Sequence, residues 1–126
     1  MTPAPASGAK TDTTTTQSPV ETAVADARFF RVLSDPTRLA ILRLLLDGER
    51  SVSELVSILN VPQSRVSNHL ACLRWCRFVE VDRVSRRGVY RIADPRLRDV
   101  LAVAQIVASD QCDHLSSCSR IGPDWI

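Results

Sequence analysis

The chain has 126 residues and a formal charge of +2, with 44% apolar but only 5% aromatic residues. That length suits one compact domain with flanking segments, and a core so poor in aromatics must be packed by Leu, Val, Ile and Ala, helped by an oligomer interface. No apolar run approaches the length of a membrane span, and the N-terminus lacks the charged-then-apolar layout of a secretion signal, so a cytoplasmic protein without membrane contact is expected.

Residues 1–18, MTPAPASGAKTDTTTTQS, are rich in Thr, Ser, Pro and Ala without buried periodicity, which predicts a disordered arm. From Val20, apolar residues recur at three and four (Val20, Ala23, Val24, Ala27, Phe30, Leu33), predicting an amphipathic helix that packs on the core or on a partner. SDPTRLAILRLLLDGE predicts a second helix, with Asp35 to cap it, Pro36 in its first turn and Gly48 to stop it. SVSELVSILN follows with Ser51 and Glu54 at capping-box spacing, and Asn60 with Pro62 makes the turn. A fourth helix from about Pro62 to Trp75 carries Val66, Leu70 and Leu73 inward.

FVEVDRV and VYRIA flank SRRG, and their alternation predicts a two-stranded hairpin turning near Gly88. Asp94 and Pro95 then open a last helix whose apolar residues, from Leu97 to Ala108, wrap most of its circumference. Such a helix is buried on several sides, in so short a chain between its own core and a second subunit. The expected fold is therefore mainly α with a β-hairpin, a homodimeric winged helix-turn-helix. Residues 1–18 form the arm, 19–110 the DNA-binding and dimerisation domain, and 111–126 a C-terminal tail.

In a helix-turn-helix the second helix enters the major groove, which makes Gln63, Ser64, Arg65, Ser67 and Asn68 the predicted base-reading residues, with His69 at the edge. Gln and Asn can pair with adenine, Arg with guanine, and Ser with base or phosphate. Arg83, Arg86, Arg87 and Arg91 on the hairpin are predicted to reach phosphate or the minor groove. Fifteen of the sixteen basic residues are Arg. A GC-rich genome would also write Arg for Lys, so the placement of these residues carries more weight than their number. Each residue singly also fits a solvated surface; the ordered set of two short helices, a reading helix and a basic hairpin favours double-stranded operator DNA as partner. His69 reads as a core-edge residue held by hydrogen bonds rather than a metal ligand.

The four cysteines form no zinc ribbon, since no CxxC pair exists. Cys72 and Cys76 lie four apart on the reading helix, so they share one face with Cβ atoms about 6 Å apart, a gap that two thiolates at ~2.3 Å from one soft metal can span. The plainer reading is two small residues packed behind the helix. No glycine-rich phosphate loop or paired carboxylates are present, and the best nucleophile and base, Cys112 and His114, lie in the tail, so no enzyme is expected.

LSDPTRLAILRLL, SVSELVSILNVPQSRVSNHLACLR and GVYRIAD together are similar to the ArsR/SmtB family of bacterial metal-responsive repressors, over roughly Phe29 to Ala108. The resemblance implies a homodimeric winged helix that represses its operator when apo and lets go when metal binds. Members with a site on the third helix carry a CVC-type motif where this chain has Ser51, Val52 and Ser53. Members with a zinc site across the closing helices pair Asp with His, whereas here Asp99 is followed by Leu101 and Ala102 and the helix holds no His. What remains resembles the cadmium and lead sensor of mycobacteria, implying Cys72, Cys76 and Cys112 as metal ligands, with Cys118 a further candidate and a metal-binding role for residues 111–126. Cys118 and His114 have no counterpart in that pattern. Three thiolates suit soft ions: cadmium or lead, with mercury or zinc as alternatives. The site lies within one subunit or between two. An alternative is a repressor of the same type that senses thiol oxidation or persulfides through the same cysteines.

Overall fold

The computed structural model of the chain describes residues 16–84 and 86–118, and these fall into two units divided between Arg31 and Val32. Most of the predicted arm, 1–15, and residues 119–126 of the predicted tail lie outside the described residues. Helix α1 spans Pro19–Leu33. Ser18, expected to belong to the arm, instead caps it: Glu21 N donates to Ser18 Oγ at 3.1 Å and Ser18 N donates to Glu21 Oε1 at 2.7 Å. The predicted apolar stripe lies on this helix, none of whose residues is buried.

The second unit is built from helix ends that the sequence specifies locally. Helix α2, Pro36–Asp47, starts where the Asp35 carboxylate accepts from Arg38 N at 3.0 Å and stops where Gly48 N donates to Leu45 O. Helix α3, Val52–Leu59, opens on the predicted box: Glu54 N donates to Ser51 Oγ, and Ser51 N to Glu54 Oε1 at 2.7 Å. Asn60 closes it in the left-handed region at φ 56°, where Asn is among the better tolerated residues. Helix α4, Gln63–Trp75, turns Val66, Leu70 and Leu73 inward against Ile41, Leu42 and Leu55, all fully buried.

The end of α4 is a Schellman turn: Phe78 N donates to Leu73 O at 2.8 Å and Arg77 N to Arg74 O at 3.0 Å. Its left-handed residue is Arg77, at φ 65°, where glycine would be cheaper by about 1 kcal/mol. Phe78 and Val79, both buried, then anchor the hairpin on the helices.

A three-stranded antiparallel sheet follows the order β1-β3-β2, with β1 at Arg50–Ser51, β2 at Val79–Val84 and β3 at Arg87–Ile92. The sequence predicted two strands; β1 has two residues, too few to show alternation. The predicted turn near Gly88 lies two residues earlier, because Val84 pairs with Arg87 and Arg86 itself takes the positive φ of 71°. Gly88 instead pairs with Arg83 inside the ladder, and a Cβ there would meet Val81 Cγ2 at 3.2 Å. Cross-strand crowding, not a turn, therefore favours glycine at that position.

Asp94 accepts from the backbone and guanidinium of Arg96, which holds its carboxyl down at about 2. Helix α5, Leu97–Asp110, follows, joined to α2 by Arg98 Nη2 donating to Leu46 O at 2.7 Å. The short α6 spans Cys112–Ser116. Of the apolar α5 residues only Leu97 and Leu101 are buried in the single chain; Val103 is 59% and Ile106 63% exposed.

Candidate nucleic-acid interface and thiol site

Successive residues of an α-helix turn by ~100°, so the buried Val66, Leu70 and Leu73 fix which way the rest of α4 points. Gln63, Ser64, Arg65, Ser67 and Asn68 are all exposed. No side chain caps the N-terminus of α4; Arg65 N donates to Pro62 O at 3.0 Å, so of the first turn the amides of Gln63 and Ser64 are the ones that face an outside acceptor. The predicted reading residues thus occupy the exposed N-terminal half of one helix.

The hairpin arginines divide into two groups. Arg83 and Arg86 are exposed and form no ion pair among the described residues. Arg87 is exposed, and its Nη2 donates to Ser51 Oγ at 3.0 Å, tying β3 to the cap of α3. Arg91, predicted to reach phosphate, instead pairs with Asp82 and with Glu80 Oε1 at 3.0 Å, both on β2. Both are neighbours across the β2–β3 ladder, where opposite charges attract.

Cys72 lies on α4 and Cys76, expected on the same helix, is its C-cap, one residue past the last turn. Cys72 is half-buried, Cys76 is exposed, and all four cysteines are free thiols. Partial burial raises the Cys76 pKa above the ordinary thiol value, and neighbouring Cys72 raises it further by charge and hydrogen bonding, while Arg38 opposes. Cys76 is therefore a protonated thiol at neutral pH. His69, one turn before Cys72 on the same face, is half-buried with its Nε2 at 3.6 Å from Asp35 Oδ2.

Cys112 begins α6, exposed, with its thiol at 3.8 Å from Asp113 Oδ1, and Cys118 is half-buried beyond that helix. Among the described residues no three His, Cys, Asp or Glu side chains converge as a metal-binding group. The chain thus joins Cys72 to Cys76 but does not bring Cys112, His114 or Cys118 to them.

Sequence reasoning missed the other end of α4. Ala71, Arg74, Trp75 and Arg77 line an open groove of about 510 Å³, and Trp75 is 87% exposed. The signal was present in the spacing Ser64, Ser67, Asn68, Ala71, Trp75, a single outward stripe at helical period.

This architecture has known counterparts. The family model described as "Bacterial regulatory protein, arsR family" matches residues 35–81. The "Probable mercury resistance operon repressor" of Streptomyces lividans is 43% identical over 95 residues, covering 75% of this chain and 76% of that protein. The HTH-type transcriptional regulator CmtR of Mycobacterium tuberculosis is 41% identical over 89 residues, covering 70% of this chain and 75% of its own. Among solved structures, the homodimeric winged helix-turn-helix DNA-binding domain of a Mycobacterium bovis protein superposes with a TM-score of 0.65 at 33% identity, covering 79% of this chain and 94% of its own. The Mycobacterium tuberculosis protein Rv0081 gives a TM-score of 0.67 at 34% identity, covering 79% and 99%. These relatives are transcriptional regulators rather than enzymes, and no described helix is long and apolar enough to cross a membrane. With the helix-turn-helix, the wing and the sequence all in agreement, the chain belongs to the arsR family of bacterial regulatory proteins, whose winged helix-turn-helix binds DNA.

Proposed function

We propose that the protein is a cytoplasmic, metal-responsive transcriptional repressor: a homodimer that binds operator DNA when apo and leaves it when a soft, thiophilic ion binds. The observation that carries this reading is the thiol pair at the C-terminal end of the reading helix itself. Cys72 and Cys76 lie about 100° around α4 from the stripe containing Ser64 and Asn68, so a ligand can pull on the helix without occupying its DNA face. Gln63, Ser64, Arg65, Ser67 and Asn68 read bases, and Arg83 and Arg86 meet the backbone. Arg87, predicted from sequence as a DNA contact, acts as a strut through Ser51.

The metal ligands are Cys72 and Cys76 of one subunit and Cys112 from the tail of the other, with Cys118 as a candidate fourth thiol. The lack of a convergent ligand group among the described residues of one chain supports an intersubunit site, as does the exposed apolar run on α5. Thiolate donors suit cadmium, lead, mercury or zinc and exclude magnesium or calcium. The name of the Streptomyces relative favours mercury, and the cysteine pattern favours cadmium or lead. Because Cys76 is held protonated, metal binding must release its proton, so affinity rises with pH.

A staple between tail and α4 shifts that helix relative to its twin, whose half-site lies one DNA turn, ~34 Å, away. A coupling of about 2–3 kcal/mol weakens binding by one to two orders of magnitude, derepressing metal resistance or efflux genes. The oxidation and persulfide readings are less favoured, because a raised Cys76 pKa lowers the thiolate fraction those reactions need.

The test is fluorescence-anisotropy titration of reduced apo protein on its own upstream DNA with Cd, Pb, Hg and Zn, beside Cys72→Ser and Cys112→Ser. Release by a soft metal in the wild type, lost in both variants, is expected. Tight DNA binding indifferent to every metal contradicts the reading and moves thiol oxidation to the front.

A further inference from the structure

Helix α4 is longer than a major groove is wide. At ~1.5 Å per residue the rise from Ser64 to Trp75 is about 16 Å, against a groove about 12 Å across. With Ser64 to Asn68 over base edges, the far end of the outward stripe reaches the rim, where the partner is sugar and phosphate. There the chain presents Trp75, 87% exposed, between Arg74 and Arg77, around the groove shared with Ala71. Several other arginines are committed within the protein: Arg87 to Ser51, Arg91 to Asp82 and Glu80, Arg96 to Asp94, Arg98 to Leu46 O. Arg74 and Arg77 have no ion-pair or hydrogen-bond partner for their guanidinium groups among the described residues. Arg77 also occupies the left-handed position of the Schellman turn, where glycine fits best.

We propose that Arg74, Trp75 and Arg77 form a second DNA contact, a rim clamp on the operator's sugar-phosphate backbone. The two guanidinium groups bind phosphates and the indole packs against deoxyribose. The clamp rests on the DNA-binding reading above and extends it beyond the base-reading residues. Two features favour DNA as occupant: continuity with the outward stripe of α4, and two uncommitted positive charges flanking the apolar ring. The clamp contributes affinity without sequence preference, since phosphate contacts position a protein but do not specify bases.

The test uses the full chain with Trp125→Phe, which leaves Trp75 as its sole tryptophan. Acrylamide quenching of Trp75 is measured without DNA, with operator duplex and with scrambled duplex at low salt. DNA affinity is measured in parallel against salt for wild type and for Arg74→Gln/Arg77→Gln. A clamp predicts strong quenching in free protein that falls at least threefold on either duplex. It also predicts a loss of about 3.6 in the slope of log K against log salt in the double variant, from two phosphate contacts per subunit of the dimer at ~0.9 each. The preference for operator over scrambled duplex should persist. Operator binding by the wild type with unchanged quenching and an unchanged salt slope overturns the clamp while leaving the DNA-binding reading intact. Weak quenching before DNA is added also overturns it, and assigns Trp75 to contact with a second copy. A wild type that binds neither duplex defeats the DNA-binding reading itself, and the clamp with it.

Discussion

Helices α2 and α3 of the helix-turn-helix and the closing helix α5 are alike net apolar and meet opposite fates. In α2, α3 and α4 the large aliphatic side chains meet one another, and Ile41, Leu42, Leu55, Val66, Leu70 and Leu73 are fully buried within a single chain. In α5 only Leu97 and Leu101 find such partners, while Val100, Val103, Ile106 and Val107 face outward. Hydropathy alone does not separate the two, because burying apolar area is favourable whichever chain supplies the other half. The helix-turn-helix is completed by its own chain, whereas α5 leaves an apolar face exposed, where the proposed second copy would pack. The same division applies to the thiols, with Cys72 and Cys76 adjacent at the end of α4 and Cys112 apart from them at the start of α6.

Substitutions on the two sides should therefore fail differently. Ile106→Asp would place a carboxylate from each subunit at the proposed interface. Desolvating them should raise the dimer dissociation constant at least a thousandfold, about 4 kcal/mol; analytical ultracentrifugation reads this, and circular dichroism should show the monomer still folded. An unchanged dimer removes α5 from the interface. Leu70→Ala acts inside one chain and should cost about 3 kcal/mol of stability in urea, with loss independent of protein concentration once the dimer is dissociated. A loss below 1 kcal/mol would mean that the core relaxes around the gap.

A smaller effect should come from Ser51→Ala, which removes the cap of α3 and the acceptor for Arg87. About 1 kcal/mol is expected, and Arg87→Gln made on top should then cost less than it does in the wild type. Strict additivity in that double-mutant cycle would remove the strut from the account. The smallest effect concerns Cys76, whose raised pKa can be followed by alkylation rate against pH, read by mass spectrometry. Its midpoint should lie above that of the unfolded chain and should fall in Cys72→Ala, since Cys72 contributes to the shift. By linkage, this thiol's contribution to apo stability is fully present below the unfolded pKa and is lost as pH rises toward the folded one. A midpoint below the unfolded value would reverse that sign and revive the oxidation reading.

What the sequence made legible follows the range of the interactions involved. Asp35, Ser51, Glu54 and Asn60 were readable because a cap involves atoms within four residues, and Cys72 with Cys76 because one helical turn sets their spacing. Gly88 misled because two physical demands select glycine, and the one at work is the Val81 side chain across the ladder rather than a turn. Strand β1 was hidden by its two-residue length, and Ser18 by its low-complexity neighbours. The engagement of Arg87 and Arg91 depends on strand register, which residue type alone did not reveal. Trp75 carries no signal as a residue type; only its place in the outward stripe of α4 marks it.

The intersubunit origin of the metal site is tested most directly by subunit complementation. A chain carrying Cys72→Ser and Cys76→Ser is mixed through denaturant with one carrying Cys112→Ser and Cys118→Ser, and the heterodimer is isolated by differential tags. Cadmium is then followed by its thiolate charge-transfer absorption. The account predicts one tight site per heterodimer, where the α4 pair of one subunit meets Cys112 of the other, and none in either parent homodimer. A heterodimer as weak as both parents, alongside wild-type protein that binds two ions per dimer, would place all the ligands within one subunit and contradict the account.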